Sequence, residues 1–205
     1  MGNGVVAIVG RPNVGKSTLF NRLLGERKAI VDDFPGVTRD RNYAECLWNG
    51  RTFTLVDTGG YLPESGETIT DSVTHQVEIA LGEADLLVFV VDAQTGPTDY
   101  DEKMARIIRD SGTAYKLVVN KIDHDWDETE GAAFYGLALG DPLLVSAING
   151  RQSGDLLDDI LATLPETEED EAEEGRPPRI AVLGRPNMGK STFVNKLLGH
   201  DRVVV

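Results

Sequence analysis

The sequence is poor in cysteine, in positive charge and in long apolar runs, and each shortage excludes something. It has one cysteine, Cys46, so no disulfide can form within the chain. A reducing cytoplasm is the expected setting, and Cys46 reads as a small strand residue. The longest apolar run, Leu86 to Val91, falls far short of the ~20 residues that a membrane-spanning helix needs. No secretory signal pattern opens the sequence, and no membrane partner is expected. Lys and Arg number 20 against 34 Asp and Glu, a net charge of −14. Such a balance suits naked nucleic acid poorly, so no direct nucleic-acid binding is expected of this stretch. Seven of the acids lie between Glu166 and Glu174. Nothing in the composition calls for an obligate oligomer. With 205 residues and 40% hydrophobic content, one or two ordinary folded domains fit.

What is present begins with Gly10-Arg11-Pro12-Asn13-Val14-Gly15-Lys16-Ser17-Thr18, which fits the phosphate-loop pattern G-x-x-x-x-G-K-[ST]. An apolar run of strand length, Val5 to Val9, precedes it. Leu19-Phe20-Asn21-Arg22-Leu23-Leu24 follows with helical spacing and stops at Gly25. Strand, loop and helix in that order are the context the motif requires. Glycines at 10 and 15 let the backbone curl and aim N–H groups, Val14 among them, at an anion. The helix start adds partial positive charge. Lys16 suits the β- and γ-phosphates, the Ser17 hydroxyl suits Mg²⁺, and Thr18 completes the cradle.

Further along, Asn49-Gly50 separates two strand-like runs, Tyr43 to Trp48 and Thr52 to Val56, and predicts a hairpin. Helices are expected over Ile69 to Leu81, Thr98 to Arg109, more weakly Asp127 to Ala138, and Asp155 to Leu164. Strands are expected over Leu86 to Val91, Tyr115 to Val119 and Leu143 to Val145. The alternation predicts an α/β fold: a mainly parallel six-stranded sheet with one antiparallel strand and helices on both faces, the architecture of small G-protein-like phosphate-loop proteins. Residues 1–165 form the expected first domain and 166–178 an acidic linker whose like charges repel. From Ile180 the sequence repeats Val6 onward without a gap. Gly184-Arg185-Pro186-Asn187-Met188-Gly189-Lys190-Ser191-Thr192 is a second phosphate loop, and 179–205 reads as the truncated start of a second such domain.

Asn120-Lys121-Ile122-Asp123 fits N-K-x-D, a reader of guanine. Guanine presents N1–H and N2–H₂ on one edge, and the Asp123 carboxylate can accept both. Adenine would repel it. At about 1.5–3 kcal/mol per charged hydrogen bond, two give a preference on the order of 10²–10⁴. Asn120 would hold the loop and reach N7, the Lys121 stem would cover the ring, and Ala147 after Ser146 would offer its N–H to O6. Asp57-Thr58-Gly59-Gly60 would hold Mg²⁺ through Asp57 and the γ-phosphate through the Gly60 N–H. Thr38, in the aperiodic stretch from Ala29 to Asp40, is the second candidate Mg²⁺ hydroxyl. An ATP-dependent small-molecule kinase is disfavoured by the guanine motif.

The order of these motifs is that of the translation-factor-like GTPases. Gly10 to Thr18, Pro35-Gly36-Val37-Thr38-Arg39-Asp40, Asp57 to Gly60 and the second Gly-Arg-Pro-Asn after an acidic stretch closely resemble the bacterial tandem-GTPase family called Der or EngA, over essentially the whole chain. The resemblance implies Mg²⁺-dependent hydrolysis of GTP to GDP and a switch role in assembling the large ribosomal subunit, whose particles or precursors would be the partner. Tyr61 follows Gly60 where Ras-type enzymes carry a water-orienting Gln. Relatives of this family often use K⁺ held by a phosphate-loop Asn, and Asn13 matches that position. Arg39 and Arg41 are rival charge donors. The expected catalytic set is therefore Asn13, Lys16, Thr38 and Gly60. The competing reading is a regulatory module whose GTP or GDP state sets domain arrangement with little turnover.

Overall fold

The structure is a computed structural model and describes residues 4–25, 42–59, 77–123 and 128–165, with positions 192, 193 and 196. The chain divides into two units, Met1–Thr167 and Glu168–Val205. In the first unit the elements are β1 (Val5–Val9), α1 (Lys16–Leu24), β2 (Asn42–Trp48), β3 (Arg51–Asp57), β4 (Leu86–Asp92), α2 (Asp99–Ser111), β5 (Ala114–Asn120), a 3-10 helix (Glu128–Leu137), β6 (Leu143–Leu144) and α3 (Ser153–Thr163). Residues 77–83 are helical as well. They meet the end of the helix expected over Ile69 to Leu81, whose earlier part lies outside the described residues.

The strands form one sheet in the order β2-β3-β1-β4-β5-β6. β1 pairs in parallel with β3 and β4, β4 with β5, and β5 with β6, while β2 runs antiparallel to β3. This is the six-stranded mixed sheet that the alternation of motifs predicts. β1 and β4 are central, β1 apolar throughout and β4 apolar up to its last residue, Asp92, as strands covered on both faces must be. β2, at the edge, buries only alternate side chains. Val6 and Ile8 of β1 pack with Leu19, Phe20 and Leu23 of α1 and Leu156 and Ile160 of α3. Ala7 and Val9 pack the other way, with Met104 and Ile108 of α2 and Phe134 and Leu137 of the 3-10 helix. Period two along the strand thus feeds two cores, one under each helical layer.

Local sequence explains the joints. Asn49 and Gly50 adopt φ of 47° and 84°, the paired positive values that a two-residue hairpin turn requires. Trp48 Nε1 and Asn49 Nδ2 both donate to Asp158 Oδ1, and Arg51 donates to the Leu161 and Pro165 carbonyls, so the hairpin tip is pinned to α3. The weak helix expected over Asp127 to Ala138 is a 3-10 helix instead. Its inward positions are Gly131, Phe134 and Leu137, spaced by three, which is the period of the tighter helix. Gly131 lies so close to the Leu144 side chain that a Cβ would sit 2.9 Å from it.

α2 begins with a capping box. Thr98 accepts from the Asp101 N–H through its side chain, and Asp101 accepts from the Thr98 N–H in return. Asp101 is fully buried there. Thr98→Ala should lower stability by about 1 kcal/mol, seen as a lower urea midpoint at unchanged slope. An unchanged midpoint would show that the box contributes nothing.

Candidate functional site

The carboxyl ends of β1, β3, β4, β5 and β6 lie along one edge of the sheet, where ligands of parallel α/β folds bind. The chain leaves β1 at Gly10 with φ +151° and passes so near β4 that a Cβ would fall 2.3 Å from the Val90 carbonyl oxygen. Asn13 follows at φ 66° and Gly15 at φ +96°. α1 starts there, with Leu19 N–H donating to Gly15 O at 2.9 Å. A Cβ on Gly15 would lie 2.4 Å from Asn120 Nδ2. Both glycines of the motif are therefore demanded by backbone twist and by contact.

Lys16 is 7% exposed, and its Nζ donates to the Gly10 carbonyl at 2.8 Å and the Arg11 carbonyl at 3.0 Å. Burial pushes its pKa below the ordinary lysine value and the Arg11 charge adds to that, while Asp57 works against it. A buried ammonium held by carbonyls and facing a loop of N–H groups is a ready receptor for phosphate oxygens.

Asp57, at the end of β3, is buried and accepts the Gly59 N–H through Oδ1 at 2.9 Å. A Cβ on Gly59 would stand 2.9 Å from that carboxylate oxygen and 3.1 Å from Ser17 Oγ. One carboxylate and one hydroxyl thus border the same small space beside Gly59, and all-oxygen donors of this kind fit Mg²⁺, which keeps waters and phosphates as its other ligands. Thr58 Oγ1 fastens the strand end by donating to Ile8 O at 2.8 Å. Thr38, Gly60, Arg39 and Arg41 lie outside the described residues, as do Gly184, Gly189, Lys190 and Ser191.

The residues expected to read the base converge from β5 and from the loop after β6. Asn120 Nδ2 donates to Val14 O of the phosphate loop at 2.9 Å, and its Oδ1 accepts the Ala147 N–H at 3.0 Å. Ser146 Oγ donates to Asp123 Oδ1 at 2.6 Å and itself accepts the Asn149 N–H at 3.1 Å. Lys121 Nζ donates to Asp92 Oδ2 at 2.7 Å. A cavity of about 430 Å³, lined by Ser17, Thr18, Asn21, Arg22, Gly25 and Ala147, joins the phosphate loop to the base-reading loop.

Four residues here escape the motif reading. Arg22 Nε donates to Ala147 O at 2.8 Å and its guanidinium also reaches Ile148 O, fastening the second base-reading loop to α1. Its signal is helical spacing: Arg22 lies one turn beyond Thr18. Arg11 donates to Thr95 Oγ1 and lies 3.5 Å from Asp101 and 4.0 Å from Asp92, which ties the phosphate loop to the start of α2. The signal for Asp92 is a charge that ends a wholly apolar strand at the edge where ligands bind. Asp101 could have been read from its place in a capping box.

A family model described as 50S ribosome-binding GTPase matches residues 5–121 and again 179–205. Proteins named GTPase Der are similar over the full length of the chain: 49% identical over 205 residues in Flavobacterium johnsoniae and 54% over 202 in Symbiobacterium thermophilum. The chain spans less than half the length of these relatives, 47% and 43%. Among solved structures, Aquifex aeolicus Era bound to GDP and aluminium fluoride is similar at TM-score 0.65 and 32% identity, covering 82% of this chain and 59% of that one. Era with MgGDPNP and a segment of 16S ribosomal RNA is similar at TM-score 0.66 and 32% identity, with the same coverage. The G domain of the Thermotoga maritima FeoB iron transporter matches at TM-score 0.58 and 26% identity, over 79% of this chain and 99% of that one.

The contacts at Gly15 yield a prediction. Gly112 has φ +76° with nothing within 4 Å of a built Cβ, so Gly112→Ala should cost only the backbone strain, about 1–3 kcal/mol. Gly15→Ala meets the same kind of strain and must also displace Asn120. It should cost clearly more in chemical denaturation. Equal losses would mean that Asn120 yields without cost.

Proposed function

We propose that this chain, which belongs to the 50S ribosome-binding GTPase family, binds GTP along the carboxyl edge of its sheet and hydrolyses it to GDP and phosphate with Mg²⁺. The observation that carries the proposal is the Asn120 side chain. It joins the loop suited to phosphates, at Val14 O, to the loop suited to guanine, at Ala147 N. A single amide thereby fixes the spacing between the two ends of one nucleotide.

The roles follow from the contacts. Lys16 would exchange the Gly10 and Arg11 carbonyls for the β- and γ-phosphate oxygens. The N–H groups of Asn13, Val14, Gly15, Lys16, Ser17 and Thr18 would surround the phosphates from the loop and helix start. Ser17 and, through water, Asp57 would hold Mg²⁺, with Thr38 as the further hydroxyl. Bound there, the ion would neutralise charge on the β- and γ-phosphates. Asp123, steadied by Ser146, would accept guanine N1–H and N2–H₂. Guanine O6 would share or take the Ala147 N–H that Asn120 now accepts. In hydrolysis a water oxygen bonds to the γ-phosphorus and gives up a proton to a phosphate oxygen or to solvent, the bond from that phosphorus to the β,γ-bridging oxygen breaks, and the electron pair leaves with GDP. The Gly60 N–H, Lys16 and the ion would stabilise the charge that moves.

The finer reading is that K⁺, held by Asn13, supplies the positive charge that an arginine finger gives elsewhere. Its support is the residue itself: Asn13 is exposed in the phosphate loop, and its side-chain amide oxygen is the kind of donor that K⁺ accepts. The proposed domain limits are 1–165 and 179–205 with 166–178 between them; the second family match supports the start at 179, and the division of the chain after Thr167 falls close to the first limit. We also propose that the GTP and GDP states switch a step in large ribosomal subunit assembly. The family's description supports a ribosomal partner, as does the Era structure with ribosomal RNA. No helix among the described residues is long and apolar enough to cross a membrane, and a cytoplasmic site of action suits a ribosomal partner.

Two measurements test this. Asp123→Asn should shift preference from GTP toward XTP by on the order of 10²-fold or more, because an amide can donate to the xanthine C2 carbonyl. Undiminished GTP binding would remove Asp123 from the base pocket. Hydrolysis should run faster in KCl than in NaCl at equal ionic strength, and Asn13→Ala should erase the difference. Equal rates in both salts would end the K⁺ reading and return attention to Arg39 and Arg41.

A further inference from the structure

Asp92 closes β4 opposite Asn120 in the β4–β5 register. Its side chain is 5% exposed. Oδ1 accepts the Gln94 N–H at 2.9 Å, which fixes the carboxylate against its own turn. Oδ2 accepts from Lys121 Nζ at 2.7 Å and lies 4.0 Å from Arg11 Nη2. One buried carboxylate therefore stands between a cation of the phosphate loop and a cation of the base-reading loop.

The two cations do not depend on it equally. Arg11 has a nearer carboxylate in Asp101, at 3.5 Å, and a hydroxyl in Thr95. Asp92 is the carboxylate that pairs with Lys121. Lys121 also holds φ 72°, a left-handed backbone that a lysine adopts at a cost. A charged bond at 2.7 Å is the kind of tether that keeps such a residue turned. Resting on the reading of residues 120–123 as the guanine reader, we infer that Asp92 is a positioning residue for the base: it holds the Lys121 stem extended across the face that the guanine ring would occupy, and ties that stem to the phosphate loop through Arg11.

A residue that only positions the base gives uniform binding, which changes KM and leaves kcat alone. Loss of a phosphate-loop brace would lower kcat instead. Asp92→Asn is the apt variant because it keeps Oδ1 for the Gln94 N–H and removes only the charge. In the full chain it should weaken GDP binding, measured by calorimetry, about tenfold. The KM for GTP should rise to match while kcat holds. Against a Lys121→Ala background the same substitution should cause no further loss, and Asp92→Glu, which keeps the charge, should recover most of the affinity. The same tenfold loss with Lys121 already removed would overturn the inference, as would a fall in kcat at constant KM. If Asp92→Asn lowers the melting midpoint too far to measure, Lys121→Met decides: it keeps a stem without the charge that Asp92 holds and should lose GDP affinity about tenfold, whereas wild-type affinity would sink the proposal. A wild-type chain that fails to bind GDP at all would overturn the nucleotide reading itself, and that result appears before any variant is made.

Discussion

The site depends on one buried amide. Asn120 is 2% exposed and spends both ends of its side chain on backbone, donating to Val14 O and accepting from Ala147 N. The two loops it joins leave β1 and β6, which are not neighbours in the sheet. Strand pairing alone leaves their separation loose at the edge. A hydrogen bond made at both ends of a planar group fixes it, and in this buried setting neither end can be replaced by water without cost. Gly15 is part of the same constraint, for only a residue without a Cβ lets the amide come this close. Arg22 braces the far side by holding the carbonyl of Ala147 from α1. The peptide before Ala147 is held through its N–H and the peptide after it through its carbonyl oxygen, so the plane of the second base-reading loop is set before any ligand arrives.

Around that frame the charges are arranged to favour an anion. Lys16 is buried among carbonyl oxygens, and its pKa lies below the ordinary value of 10.5 because burial disfavours the ammonium more than Asp57 restores it. The folded chain thus binds that proton less readily than the unfolded chain does. The charged ammonium costs stability at every pH below its folded pKa, and the cost fades as pH rises from there toward 10.5. A fold optimised for stability alone would not keep this group. Phosphate oxygens would relieve the penalty, so part of the stability given up in the free chain returns as binding energy. Arg11 lowers the Lys16 pKa further, and its own charge is drawn toward Asp101 and Asp92 on the opposite side of the loop.

Much of this was legible in the sequence because it rests on local rules. The Asn49-Gly50 turn, the apolar run of β4 and the spacing of Leu19, Phe20 and Leu23 each name their element without reference to the rest of the chain. Motif residues were legible for a similar reason: Gly10 and Asn120 sit at strand ends and Lys16 at a helix start, where the type of residue reveals a geometric demand. What was missed depends on partners far away in sequence. Arg22 meets Ala147 across 125 positions, and its spacing from Thr18 gives only the face of α1 it lies on, not its partner. Arg11 looks like a filler position of the motif until α2 brings Asp101 beneath it. The 3-10 helix is different. Its period of three was visible in Gly131, Phe134 and Leu137, but apolar residues at that spacing also fit the weak face of an α-helix. The choice was made by the close approach of Gly131 to Leu144, a tertiary contact.

The hairpin shows how distant packing also fixes the floor of the site. β3 carries Asp57 at its inner end and Arg51 at its outer end. The outer end is held by three residues, Trp48 and Asn49 on Asp158 and Arg51 on the Leu161 and Pro165 carbonyls. Leu161 lies in the last turn of α3, where carbonyls run out of helical donors, so the guanidinium satisfies α3 while it anchors the strand. The inner end is held by β1 through the pairing of Asp57 with Ile8 and by Thr58 Oγ1 on the Ile8 carbonyl. A strand fixed at both ends cannot slide along its neighbours, since a shift of one residue would turn Phe53 and Leu55 out of the core. The position of the Asp57 carboxylate relative to Ser17 is therefore set by α3, which holds the outer end of the hairpin, as much as by the loops beside it.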